Sequence, residues 1–286
     1  MLSRIQSPAI DGTTVLAALH PELRRWFSRR FKTLAPAQAI AVPEILAGRS
    51  ILLSSPTGSG KTLAAFIGVF DTLAKARDRG ELPNGTVAVY VSPLRALAYD
   101  LRKNLQQPLD ELGWDWLRIG ARTGDTTIRE RAQQRRLPPH ILVTTPESFT
   151  VLLSQSGWLA PFRHTRFLIL DELHALAENK RGTMAALAAE RLEEVARPGL
   201  IAAPSCFNPK SDATGNLVLA TSPATPATPV SQPAIPDAGP PPPAGLIRIG
   251  LSATVSPLET VAAFLVGPGR PCRIAEVTQT KAARIE

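Results

Sequence analysis

The stretch SSPTGSGKT, Ser54–Thr62, constrains this chain more than any other. It follows an apolar run, Ile51–Leu53, and leads into Thr62–Lys75, whose apolar residues recur at helical spacing. A glycine-rich turn between a buried strand and a helix exposes consecutive backbone N–H groups. The positive end of the helix adds to them, so the unit is suited to cradling phosphates. Thr57, Gly58, Ser59 and Gly60 form the cradle. Lys61 is placed to reach the outer phosphates, and the Thr62 hydroxyl to bind Mg²⁺. The stretch departs from the full GxxxxGK[ST] pattern once, where Ser55 replaces the first glycine.

A strand–loop–helix unit of this kind needs a sheet to sit in, and the rest of the chain supplies one. Short apolar runs recur at Ile51–Ser54, Val87–Val91, Ile141–Thr144, Phe167–Leu170 and Ile247–Leu251. Between them, Thr62–Lys75, Leu94–Leu112 and Thr183–Ala196 carry Ala, Leu, Arg and Glu at helical spacing. This alternation predicts an α/β domain with a mostly parallel central sheet flanked by helices. The 286 residues are 44% hydrophobic, enough for one large core and too apolar for disorder throughout. No run reaches the 18 or more apolar residues that a spanning helix needs, and MLSRIQSPAI has no apolar leader region. The expectation is a cytoplasmic protein with no membrane partner. The only two cysteines, Cys206 and Cys272, have no CxxC partner and are expected to be reduced thiols.

One segment breaks the alternation. Between Pro198 and Pro243 lie 12 of the 27 prolines, including the run Pro240–Pro243. Proline removes backbone donors and disfavours helix before it, so residues 201–244 are expected to form a disordered, Pro-rich insertion outside the sheet. The expected organisation is an N-terminal tail (1–14), a domain in two pieces (15–200 and 245–275), and a C-terminal tail (276–286).

The second chemical signal is RFLILDELH, Arg166–His174. An apolar strand ending in Asp171–Glu172 sets two carboxylates at the C-terminal edge of the sheet, where ligands bind in open α/β folds. Asp171 is the candidate for the Mg²⁺ shell. Glu172 is the candidate for orienting and deprotonating an attacking water.

DELH resembles the DExH box of superfamily 2 helicases, and further stretches fall in the order that family shows. VSPLRALAYD (Val91–Asp100) resembles motif Ia, TTPESF (Thr144–Phe149) motif Ib, and LSAT (Leu251–Thr254) motif III. WFSRRF…PAQ (Trp26–Gln38), the RTGDT of Arg122–Thr126, and DELHALAENKRG followed by AERLEE give the chain the flavour of the large helicase-related (Lhr) family. The resemblance covers nearly everything except the insertion. It implies a RecA-like phosphate-loop domain that binds ATP and Mg²⁺ and grips a DNA or RNA backbone. It further implies that Gln38 pairs with the adenine edge and that Phe31 stacks on the base, although core packing would also account for Phe31. Arg95, Thr145 and Ser148 become candidate phosphate contacts, which position a strand without reading it. Ser252 and Thr254 resemble the residues that link the two sites, and His174 the one that couples hydrolysis to strand movement.

The net charge of +8 agrees with a polyanionic partner. Two basic stretches, Arg24–Arg30 and Arg129–Arg136, read as solvated helix faces. Nothing after Ala253 resembles motifs IV to VI. The chain is therefore expected to be the first domain of a two-domain motor, with a separate chain carrying the second RecA-like domain as a candidate partner. The alternative is a nucleic-acid-binding remnant without turnover. A phosphate-loop kinase gives no account of PLRAL, TTPES and SAT in this order.

Overall fold

The computed structural model of the chain describes residues 1–5, 8, 10–197 and 245–277. Its strands are β1 (Leu2–Ile5), β2 (Ile51–Ser54), β3 (Ala88–Val91), β4 (Ile119–Arg122), β5 (Ile141–Thr144), β6 (Phe167–Leu170), β7 (Ile247–Ser252) and β8 (Cys272–Glu276). The first six helices are α1 (Gly12–Ala18), α2 (Pro21–Phe31), α3 (Pro36–Leu46), α4 (Lys61–Asp78), α5 (Arg95–Leu112) and α6 (Ile128–Arg136). They are followed by α7 (Pro146–Leu153), α8 (Ser156–Phe162), α9 (Leu173–Ala177), α10 (Lys180–Ala196) and α11 (Leu258–Val266).

The strands form one sheet in the order β1-β8-β2-β7-β6-β3-β5-β4, and every pairing is parallel. Parallel strands are covered on both faces, which is why β2, β3, β5 and β6 read as unbroken apolar runs. Alternation along each strand sorts the side chains between two cores. Ile51, Leu53, Ala88, Tyr90, Ile141, Ile169 and Leu251 pack beneath α1 to α5. Leu52, Val89, Val91, Leu142, Leu168 and Leu170 pack beneath α7 to α11.

The five apolar runs and three helical stretches expected from the sequence all form. Three strands were not expected. β1 and β4 are the sheet's two edges, and β8 lies next to β1. Strands near an edge need less apolar surface, so LSRI, IGAR and CRIAE give weak signals. The stretch 1–14 is accordingly no simple tail. It contains β1, which pairs with β8, and the start of α1, whose Val15 is buried in the core. At the other end, β8 carries the sheet to Glu276 and Val277 is buried. The Pro-rich stretch 201–244 and residues 278–286 lie outside the described residues. The two basic stretches fall on α2 and α6, where Arg24, Arg25, Arg29, Arg30, Arg129, Arg135 and Arg136 are exposed.

Strand order decides which loops meet. The segments after β2, β7 and β6 share one half of the sheet's C-terminal edge, and those after β3, β5 and β4 share the other. SSPTGSGKT, LSAT and DELH are thereby gathered on one half, and PLRAL, TTPES and RTGDT on the other.

Candidate functional site

The loop between β2 and α4 turns through Gly58 (φ +78°) and Gly60 (φ +84°). A Cβ at Gly60 would also lie 2.8 Å from Gln38 Nε2, so conformation and space both require glycine there. Ser55 and Ser59 share a hydrogen bond of 2.7 Å between hydroxyls, closing the base of the loop. The Ser55 N–H donates to the Ser252 carbonyl on β7 (3.1 Å). Lys61, at the first position of α4, is 8% exposed, and its Nζ donates to the carbonyls of Ser55 (2.5 Å) and Pro56 (3.1 Å). Burial lowers the Lys61 pKa, and the charges of Glu172 and Asp171 act against that shift. Those two carboxylates leave β6, two strand spacings from β2, or about 10 Å.

Asp171 receives the Glu172 N–H at Oδ1 (2.9 Å) and the Tyr90 hydroxyl at Oδ2. Burial pushes its carboxyl pKa up, while the two hydrogen bonds pull it back. Glu172 holds a left-handed backbone (φ 47°), one of two such non-glycine residues among those described. That conformation costs about 1–2 kcal/mol in an L-residue. His174 Nδ1 is 3.3 Å from the Ala253 N–H, 3.3 Å from the Ser252 hydroxyl and 3.5 Å from Glu172 Oε2. A backbone N–H can only donate, so Nδ1 accepts and carries no proton in this arrangement. The contact with Glu172 is therefore not an ion pair through that nitrogen. His174 thus touches both DELH and LSAT. Thr254, expected with Ser252 to link the two sites, is exposed and makes none of the described contacts with them.

Gln38 is 5% exposed. Its Oε1 accepts the Ala35 N–H (3.0 Å) at the start of α3, and its amide abuts Gly60. Phe31 is 38% exposed and packs with Phe27 (5.0 Å between centroids) and Trp26 (5.8 Å). No described contact joins it to the phosphate loop. Thr57 and Gly58 are exposed at the rim, Ser59 is buried, and Thr62 lies partly buried in the first turn of α4.

On the other half of the edge, Arg95, Arg122, Arg131, Thr145, Glu147 and Ser148 line a cavity of about 240 Å³. Arg95 is exposed and meets Asp125 (3.3 Å). The buried Thr145 donates its hydroxyl to Ser148 (3.2 Å). Arg122 ends β4 at 7% exposure, and its Nη1 is buried without a hydrogen-bond partner. Burial lowers its pKa, with Arg131 and Arg135 adding to the effect. The sequence had flagged RTGDT as a family stretch, but nothing singled out Arg122 within it. Tyr90 was missed altogether, because in VAVYV it reads as one more strand residue.

The DEAD/DEAH box helicase family model matches residues 35–228. Among curated proteins, the ATP-dependent helicase Lhr-Core of Methanothermobacter thermautotrophicus is 37% identical over 280 residues, covering 94% of this chain and 27% of its own length. The Lhr-Core helicase of Sulfolobus acidocaldarius is 38% identical over 258 residues, covering 88% of this chain and 24% of its own. The Lhr helicase/probable uracil glycosylase of Mycolicibacterium smegmatis is 35% identical, with 90% and 14% covered. The chain thus spans 27% or less of the length of these relatives. Among solved structures, Mycobacterium smegmatis helicase Lhr bound to ssDNA and AMP-PNP superposes with a TM-score of 0.68 at 32% identity, over 93% of this chain and 28% of that one. DEAD-box helicase Mss116 bound to ssRNA and UDP-BeF gives 0.72 at 18% identity over 98% of this chain and 48% of that one, a likeness of fold alone. The sheet and its flanking helices are therefore RecA-like. With the family match running over about two thirds of its residues, the chain belongs to the DEAD/DEAH box helicase family.

Proposed function

We propose that these residues form the first RecA-like domain of an Lhr-type, ATP-dependent DExH helicase. In this reading the domain takes ATP with Mg²⁺ at the cleft between the phosphate loop and DELH, and a nucleic-acid backbone at the cavity beside it. The observation that carries it is the convergence of Lys61, Asp171 and Glu172, from two non-adjacent strands, close enough that both carboxylates act on the lysine's charge.

Lys61 would exchange its loop carbonyls for the β- and γ-phosphates of ATP, held against the N–H groups of Thr57 to Thr62. Among the described residues no group of three or more His, Cys, Asp and Glu forms a metal cage. Mg²⁺ does not need one, since it takes one or two carboxylates and otherwise water and substrate phosphates. A buried carboxylate and a hydroxyl, both hard oxygen donors, fit it, so Thr62 and Asp171 would hold it. When bound, it supplies charge neutralisation at the transferred phosphate. Glu172 would accept the proton of the attacking water, with its Oε2 lying 3.5 Å from His174 Nδ1. His174 would pass changes at Glu172 to Ser252 and Ala253 through its Nδ1 contacts. Gln38 and Phe31 would flank the base.

Arg95, Thr145 and Ser148, joined by Arg122, would bind phosphates of the strand. A buried guanidinium with an unpaired N–H pays a desolvation cost that a phosphate would offset. The Lhr structure matched above holds ssDNA and AMP-PNP, which agrees with a chain of this kind handling both classes of ligand.

The test is calorimetric titration of the chain with ATP and MgCl₂, beside its Lys61→Ala and Glu172→Gln variants. Lys61→Ala should lose binding. Glu172→Gln should bind as the parent does while losing any phosphate release. A fluorescent single strand should bind the parent with affinity falling linearly in log salt. Unchanged ATP affinity in Lys61→Ala, or equal loss in both variants, would refute the roles assigned.

A further inference from the structure

Tyr90 stands near the middle of β3, the strand next to DELH, and is 2% exposed. It pairs in register with Ile169. Side chains alternate along a strand, so Asp171, two residues beyond Ile169, falls on the same face as Tyr90 and one step nearer the C-terminal edge. The ring is fixed by packing, lying nearly parallel to Phe66 of α4 with centroids 5.6 Å apart and 25° between planes. So held, the phenol donates to Asp171 Oδ2. Thr62 lies one helical turn before Phe66 on α4. One buried hydroxyl thus ties β3 to the carboxylate at the end of β6.

We propose that Tyr90 is a positioning residue that pre-sets the Asp171 carboxylate for a divalent cation. The inference rests on the reading of this cleft as an ATP·Mg²⁺ site and adds to it a residue from outside the phosphate loop and DELH. The Tyr90 proton goes to Asp171 Oδ2 while the Glu172 N–H occupies Oδ1, so the plane of the carboxylate is fixed from both sides. Partners that orient metal ligands in this way commonly contribute tenfold to a hundredfold in metal affinity.

Tyr90→Phe removes the hydroxyl and keeps the ring against Phe66. The experiment follows binding of a fluorescent ATP analogue to the full chain while MgCl₂ is titrated from an EDTA-treated baseline. Thermal unfolding is measured alongside. The expected result is a melting temperature within about 2 °C of the parent. Metal-free nucleotide affinity should be unchanged, and at least about tenfold more Mg²⁺ should be needed for the metal-dependent gain. Phe66→Leu separates packing from hydrogen bonding. It removes the stacking partner and leaves the phenol, so it should lower the melting temperature and leave the Mg²⁺ midpoint near the parent's. An unchanged midpoint in Tyr90→Phe, or equal midpoint shifts in both variants, overturns the proposal while the ATP·Mg²⁺ reading stands. A parent chain with no Mg²⁺-dependent nucleotide binding overturns both.

Discussion

Replacing Arg248 tests how the domain is closed across its Pro-rich stretch. Arg248 lies in β7 with its guanidinium 2% exposed, an unusual residue for a central parallel strand. Its Nη1 donates to Glu190 (2.8 Å) and to the Leu265 carbonyl (3.2 Å), and its Nη2 to Glu193. Arg270 donates to both oxygens of Glu190 at 2.6 Å. Glu190 and Glu193 sit on α10, which ends just before residues 198–244, while β7 begins just after them. The cluster therefore holds the two flanks of that stretch together. In Arg248→Met, Glu193 keeps Arg270 only at 3.6 Å and remains 16% exposed. Removing one partner of a buried pair costs about 3–5 kcal/mol, and the remaining arginine favours the lower figure. At roughly 2–4 °C per kcal/mol for a domain of this size, melting should fall by about 6–12 °C. Arg248→Met with Glu193→Leu should recover most of the loss, because both desolvation penalties disappear together. The pH dependence provides a second readout. Hydrogen bonds from Arg270, and then those from Arg248, hold Glu190 at about 2 against an ordinary 4.5. A lowered carboxylate contributes stability above its unfolded value and loses it as pH falls through the folded one. The deficit of the single variant should therefore narrow between about pH 4.5 and pH 2. Screening limits the size of that effect, since the Glu190 side chain is 45% exposed. Circular-dichroism melting measures both. A single variant that melts within about 2 °C of the parent at pH 7 would refute the reasoning.

Two further outcomes follow from burial. Asp171 has its carboxyl pushed up, chiefly by desolvation. An acid raised in the folded state costs stability above its folded value, and the cost fades as pH falls to the unfolded value. Asp171→Asn should therefore raise the neutral-pH melting temperature by a few degrees, on the order of 1 kcal/mol, while abolishing phosphate release. A variant that melts lower than the parent would contradict this. Burial also drives the Cys272 thiol up to about 12. Iodoacetamide at pH 8 should leave the Cys272 peptide unmodified in folded protein and label it in denaturant, as read by mass spectrometry; rapid native labelling would refute the burial.

Much of the architecture and of the phosphate-loop half of the candidate site is legible in the chain alone. ILLS, ILVT and FLIL each open with at least three consecutive apolar residues because parallel strands are buried on both faces, so a one-dimensional pattern carries their assignment. SSPTGSGKT and DELH are equally legible. Their chemistry depends on backbone turns and consecutive residues, with Gly60 at positive φ and Asp171 beside Glu172, and such features are local by nature. Tertiary structure decided what depends on strand order. LSRI, IGAR and CRIAE became strands only because neighbouring strands supply their hydrogen bonds. Arg122 is a cavity residue because β4 ends beside β5 and α7. Arg248 is tolerated in the sheet because α10 brings two carboxylates over it. Tyr90, indistinguishable in sequence from a core residue, meets Asp171 because β3 lies against β6. Side chains distant along the chain are brought together by register and crossover, and those are properties of the assembled sheet.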